Sequence, residues 1–280
     1  MPTAVEAKQS AGDLIPDIIG AIKDRYGDLR PAEQAVADAI LSDVRDAVRA
    51  SNSEIARRAG VSQPTVTRFC RAIGCEGVRD FKLRLAQSLA VGEARAALRE
   101  VERQVDPADV LAAAEVLAAA GRIATFGIGG SSAALALEAQ VRLFRYGLAV
   151  DACREPYVAR MTAATLKPGD VLLAISATGR TPEVVEAVEI ARRYNAKTIA
   201  ITCPDSPLAR VAETAVTVRI GEYPDALTPT ASRFAFLAIL DMVAAATGYR
   251  LGPAARENLR RIKFTIMQSR PSAGLEPLGD

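Results

Sequence analysis

Two junctions constrain this chain of 280 residues more than any other feature. Phe126–Ser132 and Ile175–Pro182 are rich in Ser, Thr and Gly, and each stands between an apolar β-branched run and a helical stretch. Strand, loop and helix in that order predict a parallel sheet, because parallel neighbours need a crossover helix. The flanking residues repeat the alternation. Ile123–Phe126, Leu148–Asp151, Val171–Ser176, Thr198–Thr202 and Ala215–Arg219 read as short strands, with helices at Ser131–Tyr146 and Pro182–Tyr194. Lys167-Pro168-Gly169-Asp170 makes a turn into the third strand, and helices resume at Ser232–Thr247 and Pro253–Ser269. The expectation for 107–270 is an α/β domain with a five-stranded parallel sheet flanked by helices.

Upstream, the periodicity is helical throughout. Leu14–Tyr26 and Pro31–Leu41 carry apolar residues at helical spacing, and further helices begin near Asn52 and Ser62. Val78–Leu89 places Phe81, Leu85 and Leu89 on one stripe. Residues 13–91 therefore read as an all-α domain and 92–106 as a helical linker, with Asp106-Pro107 starting a fresh helix. Met1–Gly12 and Pro271–Asp280 look frayed.

Asn52–Ile73 has a helix-turn-helix pattern. Ala56 is small where two helices must cross, Gly60 tolerates the positive φ of the turn, and Val61 closes it. Ile55, Val66, Phe69 and Ile73 form the buried stripe. Ser62, counted with the DNA-facing residues, is placed to cap the second helix, with Pro64 in its first turn. Gln63, Thr65, Thr67, Arg68 and Arg71 then point outward at the end that enters a major groove. Gln and Arg read adenine and guanine edges in two-pronged fashion; Thr touches a thymine methyl or a phosphate. Arg57, Arg58, Arg79 and Lys82 suit phosphates. A generic helical hairpin with a solvated polar face is the competing reading. Charge favours DNA: seven basic and three acidic residues between Asn52 and Arg84 leave +4 there, against +2 for the whole chain.

Each Gly/Ser loop suits an anion. Glycine lets backbone approach closely, and a helix N-terminus offers unpaired N–H groups and a positive dipole end. Gly129, Ser131 and Ser132 supply this at the first junction. At the second, Thr181 is placed to cap the helix ahead of Pro182, leaving Ser176, Thr178 and the Gly179 amide for ligand oxygens, with Arg180 adding charge. A dinucleotide site is the first alternative, since Gly127-x-Gly129-x-x-Ser132 nearly fits the fingerprint and Asp151 sits near the second strand's end. A purely structural turn is the second, and a sugar isomerase site the third. The chain has no His, which removes the commonest general base and imidazole ligand. Arg180 occupies a position where a catalytic carboxylate would be wanted. Binding is favoured over catalysis, with no cofactor and no metal.

Cys70, Cys75, Cys153 and Cys203 lack metal spacing and read as reduced thiols. Arginines and aspartates interrupt every apolar run before it reaches bilayer length, and Met1–Asp17 lacks a signal-peptide pattern, so a cytoplasmic protein without membrane contact is expected.

Ser62-x-Pro64-Thr65-Val66-x-Arg68-Phe69-Cys70-Arg71, followed by a helix with Phe81-Lys82, resembles the N-terminal domain of RpiR-family bacterial regulators. Phe126-Gly127-x-Gly129-x-Ser131 and Ile175-Ser176-x-Thr178-Gly179-Arg180-Thr181 resemble the sugar isomerase (SIS) domain that these regulators carry. Arg142–Arg145 with Phe144, Arg160-Met161 and Arg180-Thr181 look most like the HexR-type repressors of hexose catabolism. The resemblance implies 2-keto-3-deoxy-6-phosphogluconate as effector, Ser131 and Ser176 as its serines, and Thr230, Ser232 and Arg233 nearby. SIS enzymes typically read Ser-Gly-Glu-Thr where this chain has Thr178-Gly179-Arg180-Thr181, a departure that speaks against catalysis. A homodimeric or tetrameric repressor reading palindromic operator DNA is the expectation, and a SIS-type isomerase with an accessory helical domain is the alternative.

Overall fold

A computed structural model describes residues 17–221 and 231–269. The stretch Leu14–Pro16 of the first expected helix, both expected frayed ends and Thr230 lie outside them. Contacts divide the chain into two compact units at Arg95/Ala96.

The first unit is all-helical: α1 (Ile18–Asp24), α2 (Pro31–Ser42), α3 (Val44–Arg49), α4 (Asn52–Arg58), α5 (Gln63–Ala72) and the first part of α6 (Val78–Gln104). Side chains cap the short helices and satisfy amides that no helix can pair internally. Asp17 accepts from the Gly20 amide at 3.1 Å, Asp43 from Asp46 at 2.9 Å and Ser51 from Glu54 at 3.1 Å. Ile22, Val36, Ile40, Val66, Phe69 and Phe81 are fully buried in one core. The Phe69 and Phe81 rings meet edge to face at 5.8 Å, which ties α5 to α6 and adds ~0.5–1.5 kcal/mol beyond area burial.

The second unit contains the end of α6, then α7 (Pro107–Ala118), β1 (Ile123–Phe126), α8 (Gly130–Phe144), β2 (Val150–Cys153), α9 (Pro156–Thr165), β3 (Val171–Ser176), α10 (Pro182–Arg193), β4 (Lys197–Thr202), α11 (Pro207–Val211), β5 (Thr214–Thr217), α12 (Ser232–Leu251) and α13 (Pro253–Ser269). The expected five-stranded parallel sheet is present, ordered β2-β1-β3-β4-β5. Ile123 sits opposite Val150 on one side and Val171 on the other, so β1 is the strand from which the winding reverses. Alternate residues of the buried strands feed two cores. Ile123, Leu173, Ile199 and Ile201 pack with Leu143 of α8 and Phe236 and Ile239 of α12. Ala124, Phe126, Leu172 and Ala200 pack with Ala163 of α9 and Val184 and Val188 of α10. Ala97, Val101 and Val105 are buried in the first of these cores, and the Gln104 amide exchanges hydrogen bonds with Arg219 backbone at 2.9 and 3.0 Å.

Two expectations need correction. The second strand starts two residues later than read, because Gly147 turns the chain at φ +88° and Leu148 and Ala149 lie between that turn and the strand. The expectation that charges interrupt every bilayer-length apolar run fails for α12. It is 20 residues long with mean hydropathy 1.5, enough by length and composition to cross a membrane. Its Phe236, Ile239, Leu240 and Val243 are instead buried in the core.

Candidate functional sites

α4 and α5 form the helix-turn-helix. Gly60 makes the turn at φ +64°, where an L side chain is strained, and the Val61 amide donates to the Ala56 carbonyl at 2.9 Å. Ala56, Ile55, Val66, Phe69 and Ile73 are buried as the phase of the pattern requires. Gln63, Arg68 and Arg71 are exposed along α5, and Thr67 is half-buried, its hydroxyl donating to the Gln63 carbonyl at 3.3 Å. These four, with Asn52 and Pro64, line one depression of about 730 Å³. Asn52 was not among the sequence candidates. It opens α4, one helix away from the recognition pattern, and only the folded turn sets it beside Arg68 and Arg71. Its Oδ1 is buried with no hydrogen-bond partner.

Three DNA-facing assignments change. Thr65 does not point outward: it is buried, and its hydroxyl lies 3.0 Å from the Ser62 hydroxyl and accepts from the Arg68 guanidinium at 2.9 Å. Position 65 falls on the same helical stripe as Val66, Phe69 and Cys70, so burial wins over polarity. Ser62 occupies the N-cap position, but its hydroxyl meets Thr65 rather than a backbone amide. Lys82 is half-buried and its ammonium donates to the Ala50 carbonyl, which ties α6 to the turn before α4 instead of offering a charge to phosphate. Arg57 and Arg58 are exposed but share the Glu54 carboxylate, at 2.5 and 2.9 Å, and Arg58 also pairs with Asp46. The Arg57 guanidinium beside it holds the Glu54 carboxyl below its ordinary range.

The two loops leave the carboxyl ends of β1 and β3, which are hydrogen-bonded neighbours at the strand-order reversal. Open α/β sheets take ligands at such a crevice. A Cβ built on Gly127 would stand 2.2 Å from the Ser132 carbonyl oxygen and 3.2 Å from that of Ile175, so only glycine lets the first loop fold back against both its own helix and the second loop. Gly129 holds φ +78° and hands over to α8, whose first turn contains Ser131 and Ser132, both half-buried. The leading amides of that turn have no partner inside the helix. Ser176 ends β3 and is buried.

The second loop differs in detail from expectation. The Gly179 amide is not free, since it donates to the Ser176 hydroxyl at 3.1 Å. Thr178 accepts from the Arg180 amide at 3.3 Å. Thr181 stands at the N-cap of α10 without a side-chain hydrogen bond. Gly179 takes φ +60°, and a Cβ there would fall 2.2 Å from the Ser206 hydroxyl and 2.4 Å from that of Thr202. Arg180 is exposed. Ser232 is buried as the first residue of α12, and the exposed Arg233 lies 5.0 Å over the Phe234 ring. Cys70, Cys75, Cys153 and Cys203 are free thiols.

Known proteins fall in line with both halves. Residues 17–92 match the family of helix-turn-helix domains of rpiR type, and residues 116–246 match the SIS domain. The chain is 35% identical to the HTH-type transcriptional regulator HexR of Pseudomonas aeruginosa, over 91% of this chain and 97% of that one. It is equally identical to HexR of Escherichia coli, over 94% of this chain and 99% of that one. Its fold is similar to that of the Vibrio vulnificus NanR protein solved with ManNAc-6P, with a TM-score of 0.60 at 22% identity over 90% of this chain and 98% of the other.

Proposed function

The chain belongs to the rpiR family of helix-turn-helix transcriptional regulators with a SIS domain, a sugar-phosphate-responsive class of the HexR type, and from that premise we propose that it is a cytoplasmic repressor of carbohydrate catabolism whose effector is 2-keto-3-deoxy-6-phosphogluconate. The observation that carries the reading is the pairing of an exposed Gln63–Arg68–Arg71 face with two hydroxyl-bearing loops on neighbouring strands. Gln63, Arg68 and Arg71 read base edges, with Arg68 buttressed by Thr65 so that its guanidinium enters the groove partly ordered. Arg57 and Arg58 give part of their charge to Glu54 and contact phosphate with the remainder.

In the effector site, the α8 first-turn amides and the Ser131 and Ser132 hydroxyls receive the phosphate. Ser176, whose oxygen already accepts from Gly179, turns its own proton toward the ligand. Thr178, Thr181 and Arg180 close the second side. Ser232 completes the set from α12. The chain is not an enzyme in this reading: Arg180 brings a cation where isomerisation wants a carboxylate. Operator and effector affinities are reciprocally linked, so effector that releases operator is itself bound more weakly by the DNA complex.

The test is a palindromic operator selected from random duplexes by the wild-type protein, then titrated with Arg68→Ala. Specific affinity falls while effector affinity is kept. Unchanged operator binding in that variant would falsify the placement of the recognition helix.

A further inference from the structure

We propose that Asn52 is a positioning residue of the operator interface: its carboxamide oxygen braces Gln63 against an adenine, and its nitrogen holds a backbone phosphate. The inference rests on the reading of α5 as the recognition helix and adds a residue from outside it. Asn52 and Gln63 are the first residues of α4 and α5, and both line the depression shared with Thr67, Arg68 and Arg71. α4 has seven residues, about 10 Å in all, and the Val61–Ala56 hydrogen bond closes the turn tightly, so the two leading side chains reach one recess.

Their hydrogen-bonding deficits are complementary. Asn52 Oδ1 is buried and has no donor, a costly condition for a carbonyl oxygen. Gln63 is exposed, and its carboxamide has no partner among the described residues. Reading adenine places Gln63 Oε1 on the N6 amine and one Nε2 proton on N7. The second Nε2 proton then has no acceptor on that base edge. Asn52 Oδ1 is the acceptor that Gln63 lacks, and Gln63 is the donor that Asn52 lacks. An arginine fits this vacancy less well. Arg68 already places one N–H on Thr65 Oγ1 at 2.9 Å, and Arg71 stands about two turns beyond Gln63 along α5. Asn52 Nδ2 is not buried with the oxygen, which leaves it free to donate to a phosphate where the first helix crosses the DNA backbone.

The brace acts on specificity. A glutamine amide that is free to turn over donates to guanine O6 as readily as it accepts from adenine N6. Holding one Nε2 proton on Asn52 keeps oxygen and nitrogen in the order that adenine requires, and the ordering of a long exposed side chain is done before DNA arrives. Thr65 performs the same service for Arg68.

The experiment titrates full-length wild type, Gln63→Ala, Asn52→Leu and the double variant by anisotropy, against the selected operator and duplexes with each base pair changed in turn. Gln63→Ala identifies the A·T pair that Gln63 reads. Asn52→Leu narrows the preference for adenine over guanine at that pair by about 2- to 12-fold, the worth of one hydrogen bond, and leaves the other pairs as they were. In the Gln63→Ala background the same substitution changes no preference. Without DNA, Asn52→Leu melts no lower than wild type, because the unpaired oxygen is gone. If leucine disturbs the fold, Asn52→Ala takes its place in the same cycle. Full adenine preference in the Asn52 variant, an equal loss at every base pair, or the same loss in both backgrounds overturns the proposal. Gln63→Ala and Arg68→Ala judge the underlying reading separately. Should they lose preference while the Asn52 variant keeps it, only the brace is removed; should both keep every preference, α5 is not the recognition helix.

Discussion

A single methyl group at Gly127 tests whether the two loops are locked together as the geometry requires. In Gly127→Ala the new Cβ would stand 2.2 Å from the Ser132 carbonyl oxygen and 2.6 Å from its carbon, where real contacts are essentially never under 3.0 Å. The obstruction is backbone, so no side chain can swing aside. Reaching 3.0 Å takes a displacement of about 0.8 Å, and the piece that moves is the first turn of α8. Overpacking of this kind costs roughly 1–3 kcal/mol, or about 2–12 °C in melting temperature for a unit of this size. The same shift carries Ser131, Ser132 and their amides off the phosphate. Losing one charge-assisted hydrogen bond of ~1.5–3 kcal/mol weakens the effector about 10- to 150-fold. Gly130→Ala is the control, because its Cβ meets nothing within 4 Å and it has no left-handed φ to strain. Calorimetry measures both properties: a lowered melting temperature and a weakened effector isotherm are expected for Gly127→Ala, and an unchanged or raised melting temperature for Gly130→Ala. Wild-type stability together with a wild-type isotherm in Gly127→Ala would refute the reasoning.

Other outcomes are equally specific. Lys82→Ala lowers stability by about 1 kcal/mol, discounted for its partial exposure, and leaves the salt dependence of operator binding alone. A salt slope reduced by roughly one unit instead would return Lys82 to the phosphate contacts. Arg68→Ala costs ~1–3 kcal/mol per half-site and relaxes sequence preference, read by anisotropy on operator and scrambled duplexes; an equal loss on both would make Arg68 a phosphate contact. Burial and the neighbouring Cys75 push the Cys70 thiol up to about 12, so it stays protonated and unreactive at pH 8, while the half-buried Cys203 is labelled first by a thiol reagent. Mass mapping that found Cys70 modified first would contradict the packing around α5.

Much of the architecture is legible because its signals are local. Gly60, the apolar stripe of α5 and the strand–loop–helix junctions at Phe126 and Ser176 each follow from periodicity or turn chemistry, and the structure bears them out. What escaped is short or depends on distant partners. α3 and α11 span 6 and 5 residues, too short for periodicity to register, and α9, though as long as α5, buries only Ala159 and Ala163; Glu155-Pro156 and Ser206-Pro207 are nonetheless helix-start pairs visible in the chain. Glu155 accepts from the Tyr157 and Val158 amides at 3.0 and 2.7 Å, and those bonds hold its carboxyl below the usual range. The rotation of Thr65 inward is decided by how wide the buried stripe of α5 is, which a polar residue at its margin disguises. Lys82 finds the Ala50 carbonyl across 32 residues, and Gly179 is dictated by Thr202 at the end of β4 and Ser206 at the N-cap of α11. Asn52 enters the recognition face only through the crossing of α4 with α5.

The central claim is that serines on two neighbouring strand ends receive one anionic effector and that this occupancy sets operator affinity. Fluorescence anisotropy of labelled operator, titrated with 2-keto-3-deoxy-6-phosphogluconate, tests it in wild type, Ser131→Ala and Ser176→Ala. Saturating effector should change wild-type operator affinity by about 5- to 150-fold. Both variants should hold operator as tightly as wild type without effector and fail to respond at concentrations that saturate it. If both variants respond with the wild-type midpoint, the effector binds elsewhere.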